Sequence, residues 1–326
     1  MKKLALWLSL SLLLLSAVGT ACAGPAAAKF PERSLEFVIM AGTGGGADRY
    51  ARFMSALVDK NKLSPQSLVP VNKPGGAGAV AMEYLNDKKG DPHFIMITLT
   101  SYVTTPLVQK LPFNYKTFTN IALVGTDIFM LWVPADSPFK TAKDFLEEAK
   151  KREITVAGTG SKQEDEILFR LMEKEFGLKP FKYVPFPGGG EVAAALVGKQ
   201  VEATVNNPSE QLSFFKDKRS IPLAVFLKNR VEQPLWKDVP TIKEAAGKEL
   251  EYLFPRIIVA PAGIPPAPKK WLVDLMKKTS DTAEFQKFLV DNALVPKFLS
   301  GAELDKFMED YNKLHADLMK SLGWIQ

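Results

Sequence analysis

Short runs of apolar residues alternate along this chain with longer segments in which apolar positions recur at helical spacing. The first run covers residues 35–40 (LEFVIM), and comparable runs lie at 93–99 and 154–157. A short apolar run followed by a helical pattern predicts a β–α unit, and repeated units of this kind predict a mainly parallel sheet. The same pattern predicts further strands at 67–71, 183–186, 200–205 and 222–226.

The β–α units fall into two series. The first ends near residue 99, and the second begins with a long apolar segment, 121–133, which the pattern divides into two strands around Gly125. A chain of 326 residues is too long for a single hydrophobic core. We therefore predict an α/β protein with two lobes that face a cleft, each lobe containing a mainly parallel sheet. The apolar stretch 253–260 is interpreted as crossing back between the lobes, and 268–326 as amphipathic helix.

The amino terminus has the organisation of an export signal. Lys2 and Lys3 precede an apolar segment at 4–15, and Ala21-Cys22-Ala23 forms an A-x-A-like cleavage site. The apolar segment is shorter than the roughly 20 residues that span a membrane. We predict a signal peptide over residues 1–23 and a periplasmic location. Cys22, the only cysteine, also lies where a lipoprotein carries its lipid, so its lipidation is an alternative to its removal.

Composition and charge narrow the classes of partner. The formal net charge of +6 is spread over segments of mixed sign, and no basic block occurs. Nucleic acid is therefore rejected as a partner. A mild positive bias is compatible with an anionic ligand without demonstrating one.

Glycine clusters occupy four of the predicted strand-to-helix turns, at residues 42–46, 75–78, 158–160 and 188–190. Such turns lie at the carboxyl ends of the strands, where open α/β sheets bind their ligands. A helix start offers unpaired N–H groups and the positive end of the helix dipole, and glycine allows close approach. The turns therefore predict a carboxylate site that needs no lysine or arginine. The alternative is that the glycines only permit tight turns.

Hydroxyl and amide side chains follow several of the predicted strands and are candidate partners for ligand oxygens. They are Thr98, Thr100 and Ser101 in the first series and Thr159, Ser161, Asn206 and Asn207 in the second. Individually these residues are as well explained as helix caps or turn formers.

Enzymatic interpretations find little support in the sequence. Residues 42–47 fit the loose dinucleotide pattern G-x-G-x-x-A, but the next strand ends Val71-Asn72-Lys73 without the required acidic residue. The only histidines, His93 and His315, are far apart, which argues against a zinc site. We predict no catalytic residues, no metal and no cofactor. An exported hydrolase that acts on an anionic substrate through a pair of carboxylates stays open as the alternative function.

Seven short motifs, in this order and spacing, resemble those of the tripartite tricarboxylate transporter receptors, also called Bug proteins. The motifs are Phe30-Pro31-Glu32-Arg33, Gly44-Gly45-Gly46-Ala47-Asp48, Val71-Asn72-Lys73-Pro74-Gly75-Gly76-Ala77-Gly78, Lys110-Leu111-Pro112-Phe113, Gly158-Thr159-Gly160-Ser161, Val184-Pro185-Phe186-Pro187-Gly188-Gly189-Gly190 and Asp238-Val239-Pro240-Thr241. The resemblance extends from about Phe30 to the carboxyl terminus.

This resemblance implies a periplasmic binding protein of the Venus-flytrap type, whose lobes close on a small organic carboxylate for delivery to a two-subunit membrane permease. Lobe 1 is expected to comprise 30–127 and 259–326, lobe 2 to comprise 128–258, and the protein to be a monomer. In the first lobe, the matching ligand-binding residues are Thr43, Gly44, Gly45, Thr98, Thr100 and Ser101. In the second lobe they are Gly158, Thr159, Gly160, Ser161, Gly188, Gly189 and Gly190, with Asn206 and Asn207 as further candidates.

One departure from the family pattern bears on the ligand. Many members carry His-Leu shortly after the Gly-Ser of the second lobe, where this chain has Glu164-Asp165. Acidic residues in a first helical turn are favourable for the helix dipole, which is the simpler explanation. If their carboxylates faced the cleft, they would repel a second ligand carboxylate and favour a hydroxyl or cationic group.

Overall fold

The computed structural model describes residues 30–326. The predicted signal peptide at residues 1–23 and the candidate lipidation site Cys22 lie outside this part of the chain. Within it, no helix is long and apolar enough to cross a membrane.

Residues 30–326 form ten strands and eleven α-helices. In chain order the strands are β1 (Leu35–Ile39), β2 (Leu68–Asn72), β3 (Phe94–Ile97), β4 (Thr119–Ile128), β5 (Met130–Pro134), β6 (Thr155–Thr159), β7 (Lys182–Phe186), β8 (Ala203–Thr204), β9 (Ser220–Val225) and β10 (Leu253–Ala260). The helices are α1 (Gly46–Lys60), α2 (Ala79–Asn86), α3 (Ser101–Gln109), α4 (Ala142–Lys151), α5 (Glu164–Phe176), α6 (Gly189–Val197), α7 (Pro208–Lys216), α8 (Ile242–Ala246), α9 (Pro266–Ser280), α10 (Ala283–Asp291) and α11 (Gly301–Ser321).

The strands build two five-stranded sheets with matching topology, in the orders β2-β1-β3-β10-β4 and β7-β6-β8-β5-β9. In the first sheet β1 pairs in parallel with β2 and β3, and β10 pairs antiparallel with β3 and β4. In the second sheet β6 pairs in parallel with β7 and β8, and β5 pairs antiparallel with β8 and β9. Four strands of each sheet therefore run in one direction, which confirms the predicted two-lobed, mainly parallel architecture.

The chain crosses between the sheets twice, and the strand that runs against the others in each sheet directly follows a crossing. The first crossing lies at Phe129, between β4 and β5. The second lies between β9 and β10, because β10 belongs wholly to the first sheet. The predicted lobe limits, 30–127 with 259–326 and 128–258, stay a proposal, and the border at 258/259 falls inside β10 rather than before it.

The division of the segment 121–133 at Gly125 is wrong, because β4 runs through Gly125 and ends at Ile128. Gly125 packs under the buried ring of Tyr50, whose hydroxyl donates a 2.7 Å hydrogen bond to the carbonyl of Val124. A Cβ at residue 125 would overlap that hydroxyl. The glycine therefore makes room for a side chain on α1 and does not mark a turn.

The helices cover the sheets with apolar stripes at helical spacing. Helix α11 buries Leu304, Met308, Tyr311, His315 and Met319, which lie three or four residues apart on one face. Burying a large apolar side chain contributes roughly 1.5–3 kcal/mol, so these stripes fix the helices on the sheets. Helix α4 begins at a cap formed by Thr141 and Asp144, whose side chain and backbone groups make a reciprocal capping box.

Candidate functional site

The glycine turns of the two lobes meet across the cleft. The amide of Gly42 in the first lobe donates a 3.2 Å hydrogen bond to the carbonyl of Pro187 in the second. A Cβ added at Gly190 would lie 2.8 Å from the carbonyl oxygen of Thr43. Turns 42–46 and 188–190 therefore need glycine because two backbones approach one another, and the lobes are in contact.

Glu210 connects the lobes through the first of these turns. It lies on α7 and forms a capping box with Asn207, whose amide donates to Oε2 at 3.0 Å. Its other oxygen, Oε1, accepts a 2.9 Å hydrogen bond from the amide of Gly46 at the start of α1. A carboxylate of the second lobe thus lies at the helix start that the sequence assigned to a ligand carboxylate.

Two further turn amides are also bound by the protein's own carboxylates. The amide of Gly44 donates to Asp48 Oδ2, and the amide of Thr159 donates to Asp165 Oδ2, each at 3.0 Å. Both acids lie in the first turn of a helix, where the helix dipole favours negative charge. The amides of these turns therefore do bind anions, but in this structure the anions are carboxylate side chains of the protein itself.

Beside Gly46 lies a buried ion pair between Arg256 of β10 and Asp127 of β4. Each side chain is only 1% exposed, and Arg256 Nε donates to Asp127 Oδ2 at 2.9 Å. The guanidinium also stacks on the ring of Phe254, 4.3 Å from its centroid. Sequence reasoning missed both charged residues, although each interrupts an apolar strand, which is the signal that marks a buried charge with a function or a partner.

A cavity of about 20 Å³, with room for about one water molecule, lies between these groups. Residues of both lobes line it: Ala41, Gly45, Gly46, Ala47, Leu99, Phe129, Thr159, Glu164, Asp165, Gly189, Asn207, Glu210, Phe254 and Arg256. Four of the predicted site residues are therefore brought together there, namely Gly45, Thr159, Gly189 and Asn207.

A second cavity of about 190 Å³ shares Thr159 with the first and contains one more predicted residue, Gly160. Its other lining residues include the glycine turn at 75–78 and Gln163. We call the first the inner cavity and the second the outer cavity.

The remaining predicted residues line neither cavity. Thr100 exchanges a 2.8 Å hydrogen bond with the hydroxyl of Tyr311, and the Ser101 hydroxyl lies 4.0 Å from the sulfur of Met40. Asn206 bonds Thr204, Gln211, Gly189 and Glu210 within the second lobe. Thr98 is buried, and Thr43 and Ser161 are exposed. The glycines outside both cavities are Gly44, Gly158, Gly188 and Gly190.

The pKa values of three acidic residues in or beside the inner cavity are raised: Glu164 and Asp165, which line it, and Asp127, which is paired with Arg256. Burial raises the pKa of Glu164 to about 7, although Arg256 opposes the shift. Burial likewise raises the pKa of Asp127 to about 6 against the effect of the same arginine. The pKa of Asp165 is raised well above its ordinary value by burial and then by Glu164. Both members of the Glu164-Asp165 pair also line the inner cavity, so the helix dipole alone does not account for them.

In the described part of the chain, no group of three or more His, Cys, Asp or Glu side chains is arranged to hold a metal ion. The carboxylates of the inner cavity instead form hydrogen bonds with backbone amides and with Arg256.

Solved structures of other proteins share this fold. R. palustris Rpa4515, solved with adipate, superposes with a TM-score of 0.83 at 21% identity, covering 90% of this chain and 98% of that one. MatC from Rhodopseudomonas palustris, solved with malate, gives a TM-score of 0.77 at 21% identity, covering 89% and 99%. Among sequences, the UPF0065 protein in the gbd 5' region of Cupriavidus necator is 26% identical over 308 residues, covering 90% of this chain and 89% of that protein.

Residues 53–324 match the sequence pattern of the family described as tripartite tricarboxylate transporter family receptor. That match covers most of the chain and includes the second sheet, all strands of the first sheet except β1, the glycine turns from 75 onward, and Arg256. It confirms the family inferred from the motifs. This chain belongs to the tripartite tricarboxylate transporter receptors.

Proposed function

We propose that this chain is a periplasmic solute receptor that binds a small organic carboxylate between its lobes and performs no chemistry on it. The observation that carries the proposal is the inner cavity, to which both lobes contribute polar groups. A ligand stabilises the closed form to the extent that it contacts both lobes, so a cavity shared in this way couples binding to closure.

The ligand class is supported by the relatives. Rpa4515 was solved with adipate and MatC with malate, both small molecules with two carboxylates. Because the lobes are in contact in this structure, we propose that a ligand of this scale enters the inner cavity as they separate. We propose Gly45, Thr159, Gly189 and Asn207 as ligand-facing residues, with Arg256 as the group that meets a carboxylate.

Delivery to a two-subunit membrane permease completes the proposed role. The closed receptor is the form the permease would recognise, because only closure distinguishes a loaded receptor from an empty one. The receptor would act as a monomer, since each chain carries both halves of the cleft.

The proposal is tested by calorimetry on protein that has been unfolded and refolded to remove any ligand retained from the host. Mono-, di- and tricarboxylates and amino acids are screened, and each hit is recovered and identified by mass spectrometry. We expect micromolar or tighter binding of at least one carboxylate, recovered unchanged. Turnover of a hit would favour a hydrolase, and failure of every carboxylate-bearing compound would overturn the receptor proposal.

A further inference from the structure

The inner cavity contains more carboxylates than positive groups. Glu164, Asp165 and Glu210 line it, and Asp127 lies behind Arg256, which is the one basic side chain among the lining residues. Four acids thus surround a single guanidinium.

The hydrogen bonds of these groups leave one carboxylate uncompensated. Arg256 is paired with Asp127, Glu210 bridges to the amide of Gly46, and Asp165 accepts from Thr159. Glu164 is 2% exposed, and its Oε2 has no hydrogen-bond partner within residues 30–326. A buried carboxylate without a partner is costly, so the cavity is incomplete without a donor at Glu164.

The cavity also contains a positively charged group whose hydrogen-bond partners are incomplete. Arg256 Nη1 is buried and has no hydrogen-bond partner in the described part of the chain. The inner cavity therefore presents an unpaired guanidinium nitrogen and an unpaired oxygen of Glu164, while Oδ1 of Asp127, behind the arginine, is likewise buried without a partner in the described residues. Arginine pairs well with carboxylates, and a carboxylate such as Glu164 pairs with an ammonium group.

Building on the proposed function, we infer that the ligand is an amino acid or a related zwitterion, whose protonated amino group lies against Glu164 and Asp165 and whose carboxylate lies against Arg256. A ligand with carboxylates at both ends would instead place its second carboxylate against Glu164 and Asp165, where the zwitterion has its ammonium group. The start of α1, which would otherwise stabilise that group, is already bound by Glu210.

Proton linkage distinguishes the two kinds of ligand. Because burial holds the pKa of Glu164 at about 7, this group is partly protonated at neutral pH before the ligand binds. An ammonium group lowers that pKa, so binding releases protons, whereas a second carboxylate raises it and binding takes protons up.

The other groups that face Glu164 do not reverse the expected direction of proton exchange. Burial raises the pKa values of the nearby tyrosines and lowers that of His315, which contacts Tyr252, to about 4, so these groups stay neutral near pH 7. The titratable and charged groups facing Glu164 are Asp127, Asp165, Tyr183, Glu210, Tyr252, Arg256 and Tyr311.

The test uses matched pairs of compounds that share one carboxylate and differ only at the other end. The pairs are β-alanine with succinate, 4-aminobutanoate with glutarate, and 5-aminopentanoate with adipate, titrated into the refolded chain. α-Amino acids are titrated alongside. Each binding compound is measured in two buffers of different ionisation enthalpy, which gives the number of protons exchanged.

Two variants separate the role of Glu164 from a general charge effect. Glu164→Gln keeps the shape of the side chain and removes its charge. Glu175→Gln removes the same charge from an exposed position on the same helix and is the matched control. A hydrogen bond to a charged group contributes about 1.5–3 kcal/mol, so Glu164→Gln should weaken amino compounds about 10- to 100-fold, and Glu175→Gln should not.

We expect at least one amino compound to bind more tightly than its dicarboxylate partner and to release protons near pH 7. Tighter dicarboxylate binding, or proton uptake by the amino compound, would overturn this inference and leave the receptor proposal standing. If no compound with a carboxylate binds, the receptor proposal itself fails. Proton exchange is measured on the native chain, so it decides the matter even if Glu164→Gln does not fold.

Discussion

Replacing Gly190 with alanine should weaken ligand binding without weakening the fold. The added Cβ would lie 2.8 Å from the carbonyl oxygen of Thr43 and 3.3 Å from Cα of Gly44, both in the opposite lobe. These neighbours are backbone atoms, so the clash is relieved only by keeping the lobes apart. Overpacking of this size costs about 1–3 kcal/mol, which corresponds to an affinity loss of about 5- to 150-fold if it falls on closure alone.

The open form should tolerate the substitution. Gly190 lies in the first turn of α6, where alanine is favoured over glycine by up to about 1 kcal/mol. The midpoint of thermal unfolding without ligand should therefore stay unchanged or rise slightly. Gly198→Ala, at the opposite end of the same helix, makes the same chemical change away from the cleft and is the control.

Two measurements decide this prediction. Calorimetry with the tightest carboxylate or amino acid found for the native chain gives the affinity, and small-angle X-ray scattering with that ligand gives the degree of closure. Unchanged affinity of Gly190→Ala would show that turns 42–46 and 188–190 do not approach this closely in the bound form. An equal loss in Gly198→Ala would point to a general effect on α6.

Three further predictions concern stability and are read from chemical or thermal unfolding of the ligand-free protein. Thr141→Ala should cost about 1 kcal/mol by removing the cap that Thr141 shares with Asp144, and no change would mean that the box does not form in solution. His315 has a folded pKa of about 4 against 6.5 unfolded, so its stabilising effect is complete above pH 6.5 and is lost as the pH falls toward 4. The difference in unfolding free energy between the native chain and His315→Gln should therefore shrink by up to about 3 kcal/mol over that interval, and a constant difference would contradict the assignment. Gly125→Ala should cost about 1–3 kcal/mol because its Cβ would overlap the Tyr50 hydroxyl, and the double variant with Tyr50→Phe should recover part of that loss.

Much of the fold was predictable because its signals are local. The apolar run at 35–40 and the capping pair Thr141 and Asp144 each identify their element without reference to the rest of the chain. Gly125 was misjudged because its reason is not local: only the packing of Tyr50, 75 positions earlier in the chain, explains a glycine inside a strand. Helix α3 was overlooked for a related reason, since Thr100 and Ser101 look like strand-end ligands when they in fact begin a helix.

The site was harder to predict because its partners come from opposite lobes. Amides of the turns at 42–46 and 158–160 do bind carboxylates, as their glycines suggested, but sequence alone offered no competitor to a ligand for those amides. Glu210 is 164 positions from Gly46, and nothing near either residue indicates that they meet. Their contact changes the ligand charge that the cavity favours. A helix start already bound by a carboxylate no longer attracts a second one, and the surplus acids around Arg256 favour a cation. We therefore expect the acids that depart from the family pattern, Glu164 and Asp165, to select the charge of the ligand at their end of the inner cavity.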